Sequence, residues 1–272
     1  MSGALVQEWV RLRTLRSTWL LSLASLVVTV LGAVAVTLTA SSSGPGGPGA
    51  AGGLGSQESF AMVLSSTAQL TPLLMGLIGV FAFGHDYRHG TVRPVLTAVP
   101  RRPRVAVARV LGVTLCAAAV AVVCVAASAL VVAVFGGGRF APGVGFTGGP
   151  TERVAAGTVV YVVLIALLGL AFGWLFRSIP ASVSLLFVLP LVAEPILRAV
   201  LSIRALDPIS GIGRFLPFGA GAQLYAYSTQ VNPDVPAAFR NDLSPLAGGL
   251  TLALVTAVLL GAAFLLFQRR DA

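Results

Sequence analysis

Six long apolar runs constrain the fold of this 272-residue chain more than any other feature of its sequence. A helix of about 20 apolar residues crosses the hydrocarbon core of a bilayer, which is about 30 Å thick. Each run reaches that length with few or no charges, and none alternates as a barrel strand does. Backbone amides in lipid are satisfied within their own helix, so the runs predict an all-α integral membrane protein with six transmembrane helices. The predicted spans cover residues 19–40, 60–83, 105–135, 154–176, 181–203 and 246–267.

The composition supports the membrane class and argues against a nucleic-acid-binding protein. Hydrophobic residues make up 56% of the chain, charged residues 10%, and the mean hydropathy is +0.92. The net charge of +9 comes from arginines that flank the apolar runs, whereas a nucleic-acid site presents a basic face with interleaved aromatic residues. Membrane lipid is therefore the expected partner of these arginines, and no nucleic acid is expected.

The distribution of arginine predicts the orientation, because the chain contains no lysine. If both termini face the cytoplasm, twelve of the eighteen arginines lie on the cytoplasmic side. The positive-inside rule favours this N-in, C-in arrangement. Residues 84–104 then form a cytoplasmic loop and residues 268–272 a cytoplasmic tail.

Residues 1–18 precede the first span and carry a polar stripe at helical spacing, formed by Gln7, Arg11, Thr14 and Thr18. Apolar residues cover most of the remaining surface, which predicts a helix lying in the cytoplasmic interface. The alternative is a disordered basic tail, because the segment is short for an isolated helix. The residues singled out in this interfacial arm are Glu8, Trp9, Arg11, Arg13 and Arg16.

Residues 204–245 are too apolar to remain in water as a simple outer loop. They include Phe215, Phe218, Tyr225 and Tyr227. We expect short re-entrant helices that dip into the outer membrane face or cap the fifth and sixth spans, where surrounding protein satisfies their backbone.

Two groups of polar residues within the spans are candidates for a translocation path. One is a polar stretch of the second span that contains Ser65, Gln69 and Pro72. Three interpretations of this stretch stay open: it lines a path, it contacts a neighbouring helix, or its hydroxyls bond back to carbonyls of its own helix. Glu194 lies in the fifth span with Arg198 four residues later. This spacing favours a structural ion pair, and the alternative is a role in the path.

The chain offers few groups for catalysis or metal binding. His85 and His89 lie four residues apart, but only one carboxylate accompanies them, so no metal site is predicted. No catalytic pair is visible, which argues against an enzyme. A Walker A loop requires lysine, so a chain without lysine contains none. Any ATP that drives this protein must therefore be bound by another subunit.

Three segments carry a resemblance to a known family. They are the arm with its arginines and tryptophans, the sequence Asp86-Tyr87-Arg88-His89-Gly90-Thr91, and residues 96–104; a weaker similarity covers residues 216–221. With these features the chain resembles, over essentially its whole length, the membrane (permease) subunit of an ABC transporter of the type 2 exporter class. It departs from the family pattern at Asp86, where glutamate is more common, and at Arg109, where lysine is common.

The resemblance implies a non-catalytic permease that binds a cytoplasmic ABC ATPase subunit and pairs with a second permease subunit, identical or different. ATP and Mg would be bound by the partner ATPase, and no cofactor by this chain. The segment after the second span would form the coupling helix. The residues expected to contact the ATPase are Asp86, Tyr87, Arg88, Gly90, Thr91, Arg101, Arg102 and Arg104. The alternative for the arginines is that they only set the topology.

Two further expectations concern the function and location of the protein. A second function class is a membrane-embedded scaffold or regulatory subunit without a cargo path, which the scarcity of intramembrane polar groups supports. The absence of lysine together with abundant Ala, Gly, Val and Arg is typical of a GC-rich bacterial genome. A multi-pass protein of a bacterial plasma membrane is therefore expected.

Overall fold

A computed structural model describes residues 10–11, 14–42, 61, 64–65, 70–89, 102–135, 149–203, 211–227 and 243–270. Its helices are α1 (Arg16–Ser42), α2 (Thr71–His89), α3 (Arg102–Phe135), α4 (Gly149–Phe176), α5 (Ile179–Val188), α6 (Glu194–Leu201), α7 (Pro217–Ala222) and α8 (Pro245–Arg270). A π-helical turn, Leu189–Ala193, joins α5 to α6. No strand occurs in these ranges, so the all-α prediction is confirmed for the described part of the chain.

Five described segments are long and apolar enough to cross a membrane. They are Arg16–Leu38, Val105–Phe135, Gly149–Phe176, Ile179–Leu201 and Pro245–Leu266. These segments are compatible with a multi-pass membrane protein and correspond to five of the six predicted spans.

The remaining predicted span, residues 60–83, corresponds to a shorter apolar helix. The apolar part of α2 covers Thr71–Ala82. Residues 61 and 64–65 are also helical, whereas residues 66–69 lie outside the described part of the chain. A span over residues 60–83, and with it the count of six spans, therefore stays a prediction.

Several helices extend beyond the apolar runs that predict them. Helix α2 continues to His89, and α4 begins at Gly149. Helix α1 begins at Arg16, so the end of the predicted arm is already the first turn of the span. Helical structure is interrupted at Leu15, where the Leu15 amide donates to the Arg11 carbonyl at 3.0 Å. Sequence hydropathy cannot locate these ends, because a helix continues in water once its turns are nucleated.

Neighbouring helices alternate in direction as the spans of an up-and-down bundle do. Thr18 of α1 borders the same small cavity as Ala82 of α2, while Thr29 contacts Thr71, so α1 and α2 are antiparallel. Gly76 of α2 lies beside Gly169 of α4, and Val80 lies beside Gly173 four residues further on each helix. Helices α2 and α4 are therefore parallel.

One end of this bundle, which we call the arginine end, contains the first turn of α1 and the last turns of α2. The carboxyl end of α4 lies there too, because Gly173 adjoins Val80. The later half of α3 faces Thr71 and Thr158, which places the start of α3 at the arginine end. Helix α7 lies at the opposite end, beside Gly157 in the first half of α4 and Gly248 at the start of α8.

Helix α4 is the centre of the bundle and contacts α2, α3, α5 and α8. Its buried positions include Ile165, Leu168 and Leu170, which are almost inaccessible to solvent. A two-residue turn follows α4, and Arg177 adopts a φ of 50° in it. Ser182 on α5 then donates from Oγ to the Phe172 carbonyl at 3.0 Å, which holds α5 against α4.

Candidate functional site: the arginine end and the α7 segment

The residues predicted to contact an ATPase fall at the arginine end wherever the structure describes them. Asp86, Tyr87 and Arg88 lie in the last turns of α2, and Arg102 and Arg104 lie in the first turn of α3, with only their backbone described. Three others, Gly90, Thr91 and Arg101, lie outside the described residues. The fold therefore brings both borders of the predicted coupling segment to the same end of the bundle.

The predicted interfacial arm is described at only two of its five singled-out residues. Arg11 is partly buried and Arg16 is exposed, whereas Glu8, Trp9 and Arg13 lie outside the described residues. Arg11 lines a small cavity with residues of α1 and with Phe81 of α2. Arg11 thus lies beside the part of α2 that leads to the predicted coupling segment.

Part of the polar stretch of the second span faces neighbouring helices of this chain. Pro72 is buried and Ser65 is partly buried, while Gln69 lies outside the described residues. Thr71, which begins α2, has its hydroxyl 2.7 Å from that of Thr29 on α1, and both side chains are buried. For Thr71, the structure matches the interpretation of helix contact.

The Thr29–Thr71 hydrogen bond can be measured by replacing each threonine with valine, which keeps the side-chain shape. We expect a coupling free energy of about 1 kcal/mol between the two substitutions, because hydrogen bonds between membrane helices are of this size. The measurement is a double-mutant cycle on the free energy of unfolding in mixed micelles. Thr37→Val on α1 is the matched control, since the Thr37 hydroxyl donates to Ala33 of its own helix. A coupling energy near zero would exclude a stabilising bond.

Glu194 is bound mainly by the backbone of α7. Its Oε1 accepts a hydrogen bond from the Phe218 amide at 2.8 Å, and its Oε2 accepts one from the Gly219 amide at 2.9 Å. These amides belong to the first turn of α7, where no intrahelical acceptor is available to them. Both carboxylate oxygens of Glu194 therefore bind a segment that lies more than twenty residues later in the chain.

Arg198, the predicted ion-pair partner of Glu194, lies at the limit of contact with it. Nη2 of Arg198 is 4.0 Å from Oε2 of Glu194. The guanidinium packs so closely against Gly219 that a Cβ on this glycine would overlap the guanidinium. Within the described part of the chain, Nε and Nη2 of Arg198 have no hydrogen-bond acceptor. The pair is thus present at the predicted spacing, but the two backbone amides are the closer partners of Glu194.

Residues 216–227, which we call the α7 segment, are docked by close backbone contacts. A Cβ on Gly157 of α4 would overlap the Leu224 carbonyl, and a Cβ on Gly248 of α8 would overlap the Ala220 carbonyl. Nη2 of Arg153 also donates to the Ala226 carbonyl at 3.1 Å. The segment is therefore held by α4, α6 and α8 together.

Aromatic contacts complete the docking of the α7 segment. The rings of Tyr161 on α4 and Tyr225 lie with their centroids 5.0 Å apart. Phe218 is 4% exposed and packs in the same core cluster as Tyr161. Burial raises the pKa of Tyr225 to about 12, so its phenol is protonated at physiological pH.

Sequence reasoning predicted a short helix before the last span but missed the residues that hold it. The docking glycines, Gly157 and Gly248, carry no side chain that marks them as contact residues. Two signals were present in the sequence. One is a carboxylate close to two prolines in a span, and the other is a stretch at residues 216–221 in which glycines leave the backbone amides accessible. Only the folded chain shows that they meet.

Nothing in the described residues assembles a metal site. No group of three His, Cys, Asp or Glu side chains comes together in this part of the chain. The side chains of His85 and His89 lie outside it. No protein-family model and no curated protein matches the chain.

Proposed function

We propose that this chain is the permease subunit of an ATP-driven ABC exporter, which forms the translocation path and couples it to a separate ATPase subunit. One observation carries the proposal beyond the sequence resemblance. Asp86–Arg88 lie in the last turns of α2 and Arg102–Arg104 lie in the first turn of α3, so both borders of the predicted coupling segment lie at the same end of the bundle. Arginines at these borders offer charge-assisted hydrogen bonds to carboxylates of a partner.

The proposal includes six spans with both termini in the cytoplasm of a bacterial cell. Arg11, Arg16, Arg88, Arg102 and Arg177 lie at or near the arginine end. By the positive-inside rule this end faces the cytoplasm, where an ATPase has access to it. The α7 segment then faces the outside.

In this proposal the complex contains two permease subunits and two ATPase subunits, with the cargo path between the permeases. ATP and Mg are bound by the ATPase subunits. ATP-driven closure of the ATPase pair shifts the permeases between states, provided that the coupling segment makes different contacts in each state. Arg11 of the predicted interfacial arm lines a cavity with Phe81 of α2, and in this proposal the arm adds to the contact with the ATPase.

Reversing the charge of Arg88 and Arg101 tests the proposal. We expect the Arg88→Glu/Arg101→Glu variant to insert normally and to lose stimulation of the co-purifying ATPase at least tenfold, because arginine–carboxylate contacts become repulsive. ATP hydrolysis and export are measured in reconstituted vesicles. The matched control is Arg139→Glu/Arg240→Glu, which makes the same charge change in the predicted outer loops. Unchanged ATPase stimulation and export in the first variant would exclude the coupling role.

The second candidate function is a membrane scaffold or regulatory subunit without a cargo path. The observation that favours it is that most buried hydroxyls in the described part of the bundle bond within the chain, as Thr29 does with Thr71, although the hydroxyl of Thr256 does not. A scaffold would bind its partners without stimulating ATP hydrolysis. An ATPase that co-purifies and is stimulated by the chain excludes this candidate.

A further inference from the structure

Among the described helices, the segment Ile179–Leu201 alone is interrupted by a π-helical turn. The turn covers Leu189–Ala193, and the Glu194 amide donates to the carbonyl of Leu189, five residues earlier. Pro190 and Pro195 flank the change, and neither has an amide that could continue regular α-helical bonding. The prolines thus give a local reason for one extra residue in the turn.

Because the turn accommodates one extra residue, the residues after it are rotated about the helix axis relative to a regular α-helix of the same sequence. In an α-helix each residue advances by about 100°, so Glu194 faces about 100° away from the direction it would have in an uninterrupted helix. The exposure of residues near Glu194 on α6 shows that the other directions face away from the protein interior. Ile196 is 57% exposed and Leu197 is 43% exposed, whereas Glu194 is 7% exposed. Without the turn, the carboxyl group would leave the α7 segment.

We infer that the π-helical turn and Glu194 form a register-dependent latch that holds the α7 segment on the bundle. The turn directs the carboxyl group, and the carboxyl group binds the Phe218 and Gly219 amides. Other described docking contacts of the segment are a hydrogen bond from Arg153, close packing against glycines and the aromatic contact of Tyr225 with Tyr161. Glu194 is thus a positioning residue: by binding the first turn of α7 it fixes the position of the α7 segment.

The latch has a consequence that rests on the proposed function. If cargo leaves at the end of the bundle that contains α7, the segment covers part of that exit. A return of the turn to regular α-helical bonding would rotate Glu194 away and free the segment in one step. Such a two-state element is what coupling to ATP hydrolysis requires.

The experiment measures the accessibility of Ala220, which is fully buried on α7. Ala220→Cys is introduced into a Cys116→Ala/Cys124→Ala background, and its reaction with a hydrophilic maleimide is followed in lipid nanodiscs, where both faces are accessible. No ATPase or cargo is present, so the result is independent of the proposed function.

We expect Glu194→Ala to raise the labelling rate at least tenfold. Glu194→Gln should raise it at least threefold, because its amide group replaces one acceptor with a donor that faces a backbone amide. Pro190→Ala/Pro195→Ala restores the two amides that regular α-helical bonding needs while keeping every residue, so Glu194 should rotate away and the rate should match that of Glu194→Ala. Combining these substitutions with Glu194→Ala should then add nothing. Ile196→Ala, an exposed position on α6, is the matched control and should leave the rate unchanged.

Each result decides part of the inference. An unchanged labelling rate in Glu194→Ala and Glu194→Gln would overturn the latch, whatever the proline variant shows. A rate that the proline substitutions leave unchanged, or an effect that adds to that of Glu194→Ala, would overturn the role of the turn. Loss of ATPase coupling in the Arg88→Glu/Arg101→Glu variant with normal labelling of Ala220→Cys would leave the latch standing.

Discussion

Replacing Gly169 with alanine is expected to lower the free energy of unfolding by about 3 kcal/mol. Gly169 of α4 lies against the backbone of α2, and a Cβ there would overlap the Gly76 carbonyl oxygen. Gly79 meets Ala166 in the same way. Backbone atoms cannot rotate out of the way as side chains can, so the two helices must separate. In lipid, such close packing is a principal source of helix association.

The same substitution at Gly173 is the matched control on α4. There the nearest atom to a new Cβ is the Val80 carbonyl oxygen at 3.0 Å, which a shift of a few tenths of an ångström relieves. We expect Gly173→Ala to cost less than about 1 kcal/mol. Both variants are compared by unfolding in mixed micelles. Equal effects at the two positions would mean that the closer backbone approach at Gly169 does not determine the cost of the substitution.

Replacing Gly248 with leucine is expected to displace the α7 segment. A side chain at the start of α8 would occupy the position of the Ala220 carbonyl. The contact of α7 with α8 would be lost, and the amides of residues 216–227 would become accessible to water. We expect hydrogen exchange over the segment to accelerate at least a hundredfold, equivalent to about 2.7 kcal/mol. Exchange is measured by mass spectrometry on the protein in nanodiscs.

Gly261→Leu on the same helix is the control for this prediction. No neighbouring atom of the described chain lies within 4 Å of the position where its Cβ would lie. The substitution makes the same chemical change in α8 without obstructing α7, so exchange over the segment should not change. Fast exchange in both variants would show that any disturbance of α8 frees the segment, and that the Gly248 contact is not specific.

Local sequence patterns predicted the helical class and most of the span positions. The apolar run at residues 105–135 matches a described span of the same limits, Val105–Phe135. The run at residues 181–203 predicted one span, and the structure describes it as Ile179–Leu201, in which a π-helical turn joins α5 to α6. Hydropathy averages over about 20 residues and cannot detect one extra residue in a turn.

The sequence also identified Glu194 as unusual, but it pointed to a partner close by. Arg198 was favoured because it lies one helical turn away, and the structure places it 4.0 Å from Glu194. The Phe218 and Gly219 amides, which bond Glu194 at 2.8 and 2.9 Å, come from the chain after the fifth span. The sequence contained both the carboxylate and the glycine-containing stretch, but pairing them required the distance between residues far apart in the chain, so the interaction was not predicted.

The amino-acid sequence by itself determined that the chain is apolar and helical and that it lacks a Walker A lysine, because these properties depend on composition and on neighbours along the chain. The tertiary structure alone decided which glycines carry backbone contacts, which direction Glu194 faces, and which segment it holds. Those outcomes depend on distances between residues far apart in sequence. In a tightly packed bundle, one extra residue in one turn is enough to change them.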